Sequence, residues 1–191
     1  MNKTYVFFAD GFEEIEAIGT VDILRRSGMN VVTVSVKDTH EVTGAHNVTI
    51  KTDILLPEVT LDNAEWLVLP GGMPGAENLH NCKPLQELLK AQNAKKGKIA
   101  AICASPAVVL GQLGLIEGKR ATCYPGFEKL CKGAKMEDVR CVTEDNIMTA
   151  NGPSSVTNMC YAIITISKGR QKADEVMTGM LIYPKQQSYY F

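Results

Sequence analysis

Four short stretches of this chain, Thr4–Ala9, Asn30–Val36, Trp66–Leu69 and Lys98–Ile102, are apolar almost without interruption. A strand with one wet face alternates apolar and polar residues. These do not, so each reads as a strand buried on both sides, as at the centre of a parallel sheet. Between them run helical stretches at Phe12–Ser27, Lys83–Ala94 and Ser105–Leu113, followed by Gly28, Gly97 and Gly114 as C-terminal stops. Such a β–α alternation folds as a mostly parallel sheet with helices on both faces, and its ligands bind at the carboxyl ends of the strands. The 191 residues suffice for one domain, read here as 1–191. Gly44 and the β-branched run Asn47–Ile50 mark 37–60 as a small antiparallel excursion. After residue 120 come strand candidates Asp138–Val142 and Ile147–Ala150, the turn Asn151-Gly152-Pro153, and closing helices at Ser154–Lys168 and Gln171–Leu181.

Charge excludes some functions. Twenty basic and twenty-one acidic side chains leave a formal charge of -1, with no positive field to hold nucleic acid or an anionic membrane. The apolar run Tyr5–Ala9 stops at Asp10, too short for a signal peptide. The longest apolar region, Ile99–Ile116, contains Ser105, Pro106, Gln112 and two glycines, and reads as strand, turn and helix rather than a membrane span. The six cysteines (82, 103, 123, 131, 141 and 160) form no C-x-x-C pair, and His40, His46 and His80 complete no zinc-ligand spacing. They are expected to be reduced thiols in a cytoplasm, with no metal.

The strand ends hold the chemistry. Lys98–Ile102 runs into Cys103 and then Ala104-Ser105-Pro106, the pattern of a nucleophile elbow. A thiol at a helix N-terminus loses its proton more readily, so Cys103 is expected to be the most reactive of the six; a small buried residue ending a core strand is the other reading. The first strand ends at Asp10, read as N-cap with Glu13 three residues on and Glu14 in the first turn. Glu16 differs, since on a helical wheel it falls beside Phe12, Gly19 and Ile23, an apolar sector. A glutamate buried there is pushed toward its neutral form; a rim carboxylate with its head in water is the alternative. Ala17, Val21 and Leu24 make a second apolar sector, which points to cover from a second subunit. At 69–76, Leu-Pro-Gly-Gly-Met-Pro-Gly-Ala makes a turn of bare backbone whose N–H groups can bind an oxyanion, with neither phosphate-loop spacing present.

Taken in order, Glu-Glu-Ile-Glu at 13–16, Leu-Pro-Gly-Gly at 69–72, Ala-Ala-Ile-Cys-Ala-Ser-Pro at 100–106 and Asn-Gly-Pro-Ser at 151–154 resemble the ThiJ/PfpI (DJ-one/PfpI) family, over residues 4 to about 182. The ThiJ/DJ-one branch is the nearest. The resemblance implies a flavodoxin-like three-layer sandwich and a homodimer. It makes Cys103 the reactive cysteine and Glu16 the carboxylate that hydrogen-bonds it. Gly71 and Gly72 become pocket backbone, with Ala104 beside them as an oxyanion donor, and Gly152 and Pro153 a further pocket-lining turn. Two departures matter. Ala104 replaces the histidine that follows the cysteine in the protease-like branch, so cysteine–histidine proteolysis is disfavoured. Tyr124, in Cys123-Tyr124-Pro125, stands where some relatives carry a histidine; a phenol with pKa ~10 donates a hydrogen bond but is a poor base.

The resemblance implies a cofactor-independent glyoxalase or deglycase. It would act on methylglyoxal, glyoxal or early glycation adducts, with Cys103 as nucleophile and Glu16 as proton carrier. A second reading makes Cys103 a redox sensor in a stress-response protein or chaperone. Both need the same thiol.

Overall fold

A computed structural model describes residues 2–182. The ends of the expected 1–191 unit, residue 1 and residues 183–191, lie outside the described residues. The elements in chain order begin with β1 (Lys3–Phe8), α1 (Glu14–Arg26) and β2 (Asn30–Ser35). A β3 (Glu41–Thr43) and β4 (Thr49–Lys51) hairpin and the two-residue β5 (Ile54–Leu55) follow. Next come β6 (Ala64–Leu69), α2 (Gly75–Asn81), α3 (Lys83–Ala94) and β7 (Lys98–Ile102). The last part holds β8 (Arg120–Ala121), β9 (Lys135–Met136), β10 (Cys141–Glu144), β11 (Ile147–Ala150), α4 (Val156–Lys168) and α5 (Arg170–Gly179).

The main sheet has seven strands in the order β10-β11-β7-β6-β1-β2-β5. All pairings are parallel except β10 with β11 at one edge. Side-chain alternation divides the core in two. Val6, Phe8, Trp66, Val68, Ala100 and Ile102 point to a layer filled by Leu24 of α1, Ile163 of α4 and Val176 of α5. Tyr5, Phe7, Leu67, Leu69, Ile99 and Ala101 point the other way, onto Leu79 of α2, Leu85 and Leu89 of α3 and the segment after β7. This is the expected three-layer α/β sandwich. The 37–60 excursion holds the antiparallel β3–β4 hairpin, then returns so that β5 pairs in parallel with β2.

Several local expectations are corrected. Gly75–Asn81 is a helix rather than part of a turn, anchored by buried Ala76 and Leu79. Pro106–Gly111 is π-helical rather than α-helical. Asp138–Arg140 lies outside β10, which starts at Cys141. Asp10 does not cap α1: Glu13 is the N-cap, its carboxylate accepting the Glu16 N–H at 2.7 Å. Asp10 instead accepts the Thr43 N–H and pairs with Lys37, fastening the hairpin to the end of β1. At the end of α3 the left-handed residue is Lys96 (φ 56), not Gly97.

The second apolar sector of α1 is covered within the chain, where α1 packs on α4. That sector therefore does not require a second subunit. The large apolar side chains left exposed on α1 are Ile15 (62%) and Ile18 (37%).

Candidate active site

Four loops meet at the carboxyl ends of β1, β6, β7 and β11, where an open parallel sheet places its ligands. The elbow after β7 is built as expected. Cys103 has φ 64, a left-handed conformation that costs a non-glycine residue about 1–3 kcal/mol unless its surroundings impose it. Here both its backbone groups are pinned: its N–H donates to Ala150 O and its carbonyl accepts the Tyr124 N–H, each at 2.8 Å. The side chain is thereby turned out of the sheet at 8% exposure.

Ser105 was not singled out by the sequence, yet its hydroxyl donates to the Pro70 carbonyl and fastens the elbow to the loop after β6. No pattern in the sequence carried that signal. The same loop is tied to the start of α1, since Glu13 N–H donates to Gly71 O at 3.1 Å. Gly71 sits between the two candidate catalytic side chains. A Cβ on it would lie 2.6 Å from Cys103 Cβ and 2.7 Å from Glu16 Oε2, so only glycine fits. Gly72 has φ 89, and a Cβ on it would lie 2.5 Å from the Gly11 carbonyl oxygen.

Glu16 is wholly buried, which settles its wheel position in favour of the apolar sector. Its Oε2 accepts the Gly71 N–H at 2.8 Å, while Oε1 has no hydrogen-bond partner among the described residues. Burial pushes this carboxyl up to about 7, against the pull of the Cys103 side chain and the Gly71 N–H. The bond also corrects the expected set of oxyanion donors. Gly71 spends its N–H on Glu16, whereas the N–H groups of Gly72 and Ala104 face the sulfur.

Burial, and then the charge of an ionised Glu16, push the Cys103 thiol up to about 12; the Gly72 and Ala104 N–H groups pull it down. The expectation of a thiol made acidic by a helix N-terminus is therefore incomplete. The segment that follows is a short π-helix, and the repulsion from Glu16 opposes the local N–H groups. Transfer of the thiol proton to Glu16 removes that repulsion and leaves a carboxyl donor facing a thiolate held by two N–H groups. Each of the two groups shifts the other.

Tyr124 is 45% exposed at the rim, its ring edge-on to Phe127. A Cβ on Gly152 would touch the Tyr124 ring at 3.4 Å, so the Asn151–Pro153 turn and Tyr124 share one wall. Pro153 opens a single 3-10 turn leading into α4. Two histidines are engaged elsewhere, His46 Nδ1 on Glu14 Oε2 at 2.7 Å and His40 Nδ1 on the Thr52 carbonyl at 3.0 Å, and the third, His80, lies in α2 with Nδ1 buried and without a partner among the described residues. Glu13, Glu14 and His46 offer ligand atoms within 4.8 Å of one another, but Glu13 is occupied by the Glu16 N–H and Glu14 by His46. A separate apolar groove of about 830 Å³, between Val36, Leu56 and Leu88, does not include Cys103.

The DJ-1/PfpI family model matches residues 2–166, and the chain belongs to this family. It is 37% identical over 183 residues to protein DJ-1 homolog B of Arabidopsis thaliana, covering 95% of this chain and 42% of that protein. It thus spans less than half the length of that relative. It is 34% identical to the glutathione-independent glyoxalase DJR-1.2 of Caenorhabditis elegans over 172 residues, 89% of this chain and 90% of that one. The solved structure of oxidized Toxoplasma gondii DJ-1 superposes with a TM-score of 0.91 at 36% identity, covering 97% of this chain and all of that one.

Proposed function

We propose that this chain is a cofactor-independent glyoxalase acting on small dicarbonyls such as methylglyoxal and glyoxal, with related deglycase action on early glycation adducts. One observation carries the proposal: the wholly buried carboxyl of Glu16, raised to about 7 and in contact with Cys103. A group that holds its proton near neutral pH can both give and take one. The similarity to a glyoxalase named as glutathione-independent supports the substrate class.

The thiolate of Cys103 adds to the aldehyde carbon, and the carbonyl electron pair moves onto oxygen. The N–H groups of Gly72 and Ala104 steady that oxyanion until Glu16 protonates it, giving a hemithioacetal. The Glu16 carboxylate then removes the proton from the former aldehyde carbon, and a proton returns at the neighbouring carbon. The first carbon is oxidised to a thioester as the second is reduced to an alcohol, so no outside oxidant is required. Water cleaves the thioester, releasing the hydroxy acid and the thiol. Tyr124 and the Gly152–Pro153 turn would border the substrate without serving as base.

The reading includes a single unit working in the cytoplasm as a homodimer, supported by the exposed Ile15 and Ile18 on α1. Among the described residues no helix is long and apolar enough to cross a membrane. The oxidized state of the Toxoplasma relative favours a second reading, in which oxidation of Cys103 signals stress.

The test is lactate formation from methylglyoxal by purified protein without glutathione, metal or nucleotide. Cys103→Ser is expected to fall to background, because an alcohol lacking a strong base is a far weaker nucleophile. No lactate above the Cys103→Ser level would remove the enzyme reading, and rapid peroxide oxidation of Cys103 in the same protein would favour the sensor.

A further inference from the structure

Two sulfurs that the proposed chemistry does not use lie together. Cys123 follows β8, and Cys131 follows a 3-10 turn at Glu128–Leu130. The seven residues between them fold back on themselves. Phe127 N–H donates to Tyr124 O at 3.2 Å, Leu130 N–H to Phe127 O at 2.9 Å and Cys131 N–H to Glu128 O at 3.0 Å. Beyond the loop, β8 and β9 pair in parallel, with Ala121 opposite Met136, and this brings the two ends of the segment side by side. Both sulfurs join the same apolar cluster, at 5% and 4% exposure, close enough for each thiol to shift the other, while the Cys123 thiol donates to the Tyr124 carbonyl at 3.4 Å.

We propose that Cys123 and Cys131 are a redox-active dithiol that closes to a disulfide on reaction with a peroxide, independently of Cys103. The two thiols differ in a way that suits the reaction. The Cys123 side chain beside it holds the Cys131 thiol below its ordinary range despite burial and the charge of Glu128. The same contact, with burial, pushes the Cys123 thiol up. Thiols elsewhere in the chain are only raised: burial lifts Cys141 to about 11, and burial, with the charge of Cys141 adding to it, lifts Cys160 to about 12. One sulfur attacks and the other resolves, and Cys131 is taken as the attacking one.

The Cys131 thiolate attacks one oxygen of the peroxide and the O–O bond breaks. This gives a sulfenic acid on Cys131, and the departing oxygen leaves as water or alcohol after taking a proton. The Cys123 sulfur then attacks the Cys131 sulfur, the S–O bond breaks and a second water leaves with the Cys123 proton. Two electrons pass from the two thiols to the peroxide. The neighbours Glu128, Lys129, Lys132 and Gly133 are all exposed, so a small oxidant has a short path to the pair.

The experiment treats the full chain with hydrogen peroxide near equimolar amounts, then unfolds it in iodoacetamide and digests it with trypsin. Cleavage after Lys129 puts the two cysteines on separate peptides that only a disulfide holds together. The expected product is that linked pair, two hydrogens lighter than the free peptides, in wild type and Cys103→Ser alike, and reversed by dithiothreitol. In Cys131→Ser the Cys123 peptide should be alkylated in full. The wild-type and Cys103→Ser results decide the matter even if Cys131→Ser folds poorly. Full alkylation of both cysteines at a dose that oxidises Cys103 would overturn the proposal. So would a linkage from Cys123 to Cys103, or a Cys123–Cys131 linkage that disappears in Cys103→Ser.

Discussion

Glu14 and Glu16 share the first turn of one helix, and their surroundings drive them in opposite directions. Glu14 turns outward to the β3–β4 hairpin, where its two oxygens take the His46 N–H at 2.6 Å and the ring Nδ1 at 2.7 Å. Burial raises its pKa somewhat, but the His46 ring and N–H outweigh it and hold the carboxyl below the ordinary range. Glu16 turns inward, meets one N–H and a thiol, and has no cation beside it among the described residues. Burial dominates and the carboxyl keeps its proton to about 7. The same residue type thus becomes a fixed anion on one side of the helix and a proton carrier on the other. What separates them is a partner able to replace lost water.

The largest expected effect separates the two in turnover. Glu16→Gln keeps the shape and removes the proton shuttle, and methylglyoxal conversion should fall by ~10²–10⁴-fold. Glu14→Gln should change the rate little. Equal losses for both would break the comparison.

Stability should divide them next. The folded-state pKa of Glu16 lies above the ordinary 4.5, so the folded protein binds that proton more tightly than the unfolded chain. The resulting stabilisation is full below 4.5 and is lost as pH rises through about 7, a change of roughly 3 kcal/mol. Glu14 has the opposite sign: its contribution is present above the ordinary carboxylate range and lost as pH falls. Urea unfolding of wild type against Glu16→Gln at pH about 5 and about 8 checks this. The wild type should lose stability relative to the variant at the higher pH, and parallel behaviour would contradict the assignment.

The smallest effect belongs to the surface pair. His46 lies mostly in solvent, although Glu14 is only 12% exposed, and the substitution keeps the backbone N–H that Glu14 also accepts, so His46→Ala should shift the melting temperature little. The Glu14 pKa should nevertheless rise once its partner is gone. A Glu14 resonance unmoved by that substitution would mean that His46 does not set its charge.

The core strands and Glu16 were legible for one reason, that burial on both sides leaves a compositional trace. β1, β2, β6 and β7 read as near-continuous apolar runs because helices cover both faces. Glu16 stood out because a charge in an apolar helical sector breaks the pattern around it. What escaped has no period to read. β5, β8 and β9 are two residues each, and α2 has only Ala76, Leu79 and Gly75 buried behind a proline-rich turn. The π-helical winding of Pro106–Gly111 buries every residue, so no wet face reveals its pitch. Asp10 fits the rule for a helix cap and Glu13 does not, yet the hairpin claims Asp10 and the Glu13 carboxylate caps the helix in its place. The commitment of the Gly71 N–H to Glu16 depends on two segments far apart in sequence, and the Cys123–Cys131 contact on how a loop returns.

The measurement closest to the central claim is a carbon-13 NMR titration of the glutamate side-chain carboxyls, with Glu14 and Glu16 assigned by their glutamine variants. Glu16 should titrate with a midpoint at about 7, accompanied by a change at Cys103, while Glu14 titrates below the ordinary carboxylate range. A Glu16 midpoint alongside that of Glu14, in the acid range, would leave the site without its proton carrier and contradict the account.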